Sequence, residues 1–144
     1  FPDDERQIIN DAFALVNYYS GVPNLVHENP DAPKCHLRRK YLELPFLGLT
    51  VSNGEITISS IAMSKCQDPL TSKREQLGCY RLIVAHELLH SAEIAHLEEG
   101  ETGIMDAFIT ELNVTEDDLN LMKNTRFAPQ DMELNDAFNI ENIY

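Results

Sequence analysis

Near the start of the chain, apolar side chains recur at helical spacing: Ile9, Ala12, Phe13 and Val16 share one face. Asp4 and Gln7 form a capping-box pattern ahead of them, and Gly21-Val22-Pro23 is a stop signal, so a helix is expected over 4–17. Residues 27–40 show no period. They are broken by Pro30 and Pro33 and carry Arg38-Arg39-Lys40, which reads as a surface loop with a solvated basic patch. Two strands are predicted near 46–51 and 55–61, with Asn53-Gly54 as the turn between them. In the second, Glu55-Ile56-Thr57-Ile58-Ser59 alternates polar and apolar residues as a half-buried strand should.

The stretch from Cys66 to Arg74 is polar and looplike. From Glu75 the period becomes helical again, with Leu82, Ile83, Ala85, Leu88 and Leu89 at the apolar positions. This helix is expected over 75–94, ending between Glu93 and His96. Glycines and acidic residues mark 97–103 as a loop. Thr115-Glu116-Asp117-Asp118, a capping hydroxyl with acidic residues behind it, opens a last helix over 115–125, with Leu119 and Met122, and Leu121 as a further candidate, on its buried side. Residues 128–144 are acidic, lack a clear period and read as a partly ordered tail. Without a repeat or a linker, the chain is expected to form one domain over 1–144.

Composition narrows the classes. The 43% of apolar residues suits a folded core, and no apolar run approaches the ~20 residues that cross a membrane. A formal net charge of -13 disfavours nucleic acid as a partner. It suits basic peptide substrates or bound calcium, although solubility alone explains it as well. A monomer is expected. The sequence begins at Phe1 without an apolar signal-type segment, as a processed product or a trimmed domain would. Of Cys35, Cys66 and Cys79, the last two bracket the polar loop and are spaced to staple it, which would fit a secreted protein; three reduced thiols in a cytoplasmic one are the alternative.

The chemistry gathers in one segment. His86 and His90 stand four residues apart, about one helical turn, so both imidazoles can reach one ion. Zinc accepts neutral imidazole, and a catalytic site needs three protein ligands and an open position. Glu87 projects beside that position, where it can take a proton from an activated water and later return it to the leaving amine. His96 is ten residues beyond His86, ~15 Å along a straight helix at 1.5 Å per residue. It can join the ion only if the helix ends after His90 and the chain turns back near Glu93. His27 and His36 lie in predicted loops without partner spacing. Glu93 shares a helix face with His86 and His90 and would be a rival ligand on an uninterrupted helix.

The run His86-Glu87-Leu88-Leu89-His90-Ser91-Ala92-Glu93-Ile94-Ala95-His96, followed by Gly103-Ile104-Met105-Asp106, resembles the metzincin clan of zinc endopeptidases. The clan's signature is HExxHxxGxxH followed by a methionine turn. The resemblance extends over most of 4–127 and is closest to a minimal matrixin-like catalytic domain. It implies an α+β fold with a small twisted mixed sheet, a zinc-binding helix, a Met-turn at Met105 and a C-terminal helix. It also implies one zinc ion held by His86, His90 and His96, Glu87 as catalytic base, and Leu47-Gly48-Leu49-Thr50 as the edge strand along which a peptide substrate lies. Two departures stand out: Glu93 replaces the clan's glycine, and the strand that usually precedes the first helix is not found. Nor is there a tyrosine near Met105 to serve as an auxiliary ligand. Asn113-Val114-Thr115 is a glycosylation sequon that doubles as a helix cap.

Three function classes follow: a zinc endopeptidase, a catalytically inactive zinc-binding interaction module, and a metal-dependent hydrolase of other bonds. Glu87 favours the first, because a binding module has no use for a base beside the ion.

Overall fold

The computed structural model describes residues 1–20, 34–51, 55–67, 72–91, 96, 103–105, 115, 116, 118, 120 and 131–135. The expected helix is present as α1 (Asp3–Ser20), opened by Asp3, Asp4 and Glu5 at the end where the helix dipole favours negative charge. It buries Ile8, Ile9, Ala12, Phe13 and Val16 and packs along α3 (Lys73–Ser91). Its stop signal, Gly21-Val22-Pro23, lies outside the described residues.

Where a loop was expected, residues 34–40 form a strand, β1 (Lys34–Lys40), inside the sheet. The basic residues misled because their charges are matched by acids remote in sequence. Arg38 pairs with Glu55 at 3.2 Å and donates to Thr57 Oγ1. Arg39 pairs with the buried Glu5 of α1 at 3.2 Å and donates to Ser60 O. Leu37, just ahead of them, is fully buried, so the segment is a strand whose polar partners arrive from other elements. Glu5 also accepts from the buried Tyr80 hydroxyl at 2.7 Å, and burial together with the Glu5 charge pushes that phenol's pKa up.

The two predicted strands appear in shortened form as β2 (Gly48–Thr50) and β3 (Glu55–Ser59), antiparallel to each other. The Asn53-Gly54 turn lies outside the described residues. In β3, residues 56–59 are all buried, so both faces of the strand are covered rather than one. β3 runs parallel to β1, and β1 runs parallel to β4 (Asp131–Asn135), giving the order β2-β3-β1-β4. The acidic 128–144 segment, which showed no period, thus supplies the fourth strand. Among the described residues, it occupies the free side of β1, where no strand from ahead of α1 is found.

The described ends of the segment from Cys66 to Arg74, expected as a loop, belong to helices. Cys66 lies on a short helix, α2 (Ala62–Gln67), and is bonded to Cys79 of α3; both sulfurs are buried. Helix α3 begins two residues before the expected Glu75 because Ser72 and Glu75 form a capping box: each accepts the other's backbone N–H. The chain is a small α+β protein with a mixed sheet, and no described helix is long and apolar enough to cross a membrane.

Candidate metal centre

Helix α3 carries His86, Glu87 and His90 along its last two turns, embedded among the buried Leu82, Val84, Ala85, Leu88 and Leu89. The His86 and His90 rings stand edge to face with centroids 4.5 Å apart. The described helix ends at Ser91, and His96 returns to the same point: its Nε2 lies 3.1 Å from His86 Nε2 and 3.0 Å from His90 Nε2. The expected reversal is therefore visible in where His96 stands, while the turn itself and Glu93 lie outside the described residues.

Across the described residues, these three histidines are the one cluster in which ligand atoms converge, all within 4.8 Å of one another. Tetrahedral coordination at metal–nitrogen distances of about 2.0–2.1 Å separates ligand nitrogens by about 3.3–3.4 Å, only a few tenths of an ångström beyond the 3.1 and 3.0 Å at which His96 meets His86 and His90. The triad is close enough to hold a metal ion.

The tautomer of His86 is fixed by its surroundings. Its Nδ1 lies 2.6 Å from Ile104 O. A carbonyl oxygen can only accept, so Nδ1 must donate, and Nε2 presents its lone pair to the cluster. Ile104 and Met105 form a buried turn, and Met105 is fully inaccessible. That turn is held by Asp118, a residue of the expected helix start whose pattern carries no sign of a further role. Asp118 is 1% exposed and accepts Ile104 N–H at 2.7 Å on one carboxylate oxygen and Thr115 N–H at 2.9 Å on the other. Its own N–H donates to Thr115 Oγ1, completing a capping box. The Thr115-x-x-Asp118 spacing was the available signal. Backbone at 116, 118 and 120 is helical, in accord with the expected helix start; Leu119, Leu121 and Met122 lie outside the described residues, as do Asn113, His27 and the Cys35 and His36 side chains.

Glu87, 5% exposed, is not among the converging ligands and lies in the seam between α3 and β2. Thr50 Oγ1 lies 2.6 Å from its Oε2 and 3.1 Å from its backbone O. Gly48 passes so close that an added Cβ would stand 2.7 Å from Glu87 Cγ and Oε1. Of the four residues expected along the substrate strand, then, Gly48 and Thr50 touch Glu87, Leu47 packs against the core and Leu49 is 45% exposed. Burial pushes the Glu87 carboxyl above the usual carboxylate range, opposed by the Thr50 hydrogen bond and by His90.

A raised carboxyl value means that the folded state holds the proton more tightly than the unfolded chain. Its contribution to stability is full below the unfolded value and is lost as pH rises through the folded one. Glu87→Gln stays neutral throughout. In metal-free protein, its stability relative to wild type should therefore climb as pH rises from the ordinary carboxylate range upward, as read by denaturant unfolding in chelator. A difference that does not change with pH would contradict the desolvated carboxyl.

Compared with family models, curated proteins and solved structures, the chain matches none.

Proposed function

We propose that the chain is a zinc-dependent metalloendopeptidase of metzincin type. The observation that carries this reading is the convergence of His86, His90 and His96 Nε2 beside a buried, hydrogen-bonded Glu87. Imidazole donors suit zinc among the borderline ions. When bound, the ion would lower the pKa of a water towards ~7 and polarise a peptide carbonyl.

The chain's residues supply the rest. Glu87 accepts the proton that water loses, and burial raises its affinity for that proton above an ordinary carboxylate's. The same carboxyl then delivers that proton to the leaving amine. Ile104 holds the His86 ring in orientation, and Asp118 holds Ile104. His96 is exposed, which leaves the cluster accessible from solvent.

A substrate strand is expected beside β2, which ends the sheet among the described residues. Exposed Phe46, Leu49 and Val51 in and around β2 would receive apolar side chains of the peptide. The Cys66–Cys79 disulfide and the absence of a described membrane-spanning helix are compatible with secretion, and we place the enzyme outside the cell as a monomer.

The test is metal analysis with digestion of a mixed peptide library, before and after stripping with a chelator. About one zinc per chain is expected, with cleavage abolished by stripping and restored by added zinc. Zinc without cleavage would leave a binding module and overturn the peptidase reading. Neither zinc nor cleavage would overturn the metal centre as well.

A further inference from the structure

The proposed reaction needs Glu87 on the helix, but the helix alone does not determine where its carboxylate points. A glutamate has three rotatable side-chain bonds, and each staggered setting would aim the carboxylate differently. In this structure the choice is made from outside the helix, by β2. Gly48 forms one wall of the slot: its missing Cβ is what lets Glu87 Cγ, Cδ and Oε1 lie against the strand, since an added one would stand 2.7–2.9 Å from all three. Thr50, two residues along and therefore on the same face of the strand, puts its hydroxyl 2.6 Å from Oε2. Distances of 2.5–2.7 Å are those of charge-assisted O–H···O⁻ bonds.

We propose that Thr50 is a positioning residue for Glu87, with Gly48 shaping the slot in which the carboxylate is held. The role rests on the peptidase reading for its catalytic meaning, but the geometry of the clamp does not. A hydroxyl suits the position for a further reason. The backbone O of Glu87 lies 3.1 Å from the same Oγ1, so the Thr50 proton has two acceptors on one residue. The hydroxyl therefore finds an acceptor on Glu87 whichever way it turns. Threonine's β-branch restricts its own rotamer, so the clamp loses little freedom when it closes. Valine has the same shape and offers no hydrogen bond, which makes it the discriminating substitution.

The test compares wild type, Thr50→Val and Thr50→Ser in two independent ways. Crystal structures of the metal-free proteins should show Glu87 in one rotamer in wild type and Thr50→Ser, and in a different or divided rotamer in Thr50→Val. Steady-state kinetics of the zinc-loaded proteins on one cleaved peptide should show kcat lowered about 10–100-fold in Thr50→Val, as small misplacements of reacting groups produce. KM should stay within about twofold, zinc content should be unchanged, and Thr50→Ser should recover most of kcat. An unmoved Glu87 in Thr50→Val overturns the proposal. So does a Thr50→Val enzyme that differs only in KM, which would make Thr50 a substrate contact. If the wild type cleaves no peptide, the peptidase reading falls and the rotamer comparison still decides the clamp.

Discussion

Glu87→Ala is expected to lower kcat on a cleaved peptide by about 10²–10⁴-fold, the usual contribution of a positioned general base, while each chain still carries one zinc. The separation of these two outcomes follows from where Glu87 sits. Its carboxylate is bonded to Thr50 and is not part of the three-histidine cluster, so truncation removes no ligand. Stability should hold as well. The substitution removes a carboxyl that burial disfavours in its charged form, and the Thr50 hydroxyl keeps the Glu87 backbone O as an acceptor. Metal content, a melting curve and steady-state kinetics on the same preparation check all three. Equal turnover by variant and wild type would sink the mechanism, and loss of zinc from Glu87→Ala would show that the carboxylate is a ligand.

The second large effect is expected for His96→Ala, which should weaken zinc binding more than 100-fold. Removing an outer partner of a metal ligand costs about 10–100-fold, and removing the ligand itself must cost more. His86 and His90 remain on α3, with His86 still oriented by Ile104, so residual two-histidine binding should persist at higher metal concentration. Because His96 is exposed, the metal-free variant should melt close to metal-free wild type. Competition with a chromophoric chelator measures the affinity. Should Glu93→Ala show the loss and His96→Ala retain the ion, the third ligand has been misidentified.

The elements that the sequence disclosed are those with a strong internal period. Helices α1 and α3 and the strand pair β2–β3 each carry their pattern within a few residues. β1 did not, because what makes Arg38 and Arg39 acceptable inside a sheet is Glu55 and Glu5, and no local window contains both partners. Helix α2, six residues long, is too short to show a helical period, and its place is set by a disulfide that spacing alone left open. The site divides in the same way. Three histidines in one stretch announce themselves, and helix geometry makes the return of His96, found here, the condition for its joining the other two. Thr50 and Asp118 were harder to read. Thr50 meets Glu87 across 37 positions, and Asp118 reaches Ile104 across 14, so their roles exist only once the chain has folded.

The parallel pairing of β4 with β1 has a consequence for the order in which the molecule is assembled. The ribosome releases β1, β2, β3 and α3 well before residues 131–135, so the nascent sheet begins with β1 as a bare edge, its outward N–H and C=O groups unpaired. Joining strands so far apart in sequence carries a loop-closure cost that local pairs avoid, which sets this step late. His86, Glu87, His90 and His96, by contrast, are all synthesised ahead of β4. An ion captured by the emerging histidines would favour the compact chain while β1 still waits for its last neighbour.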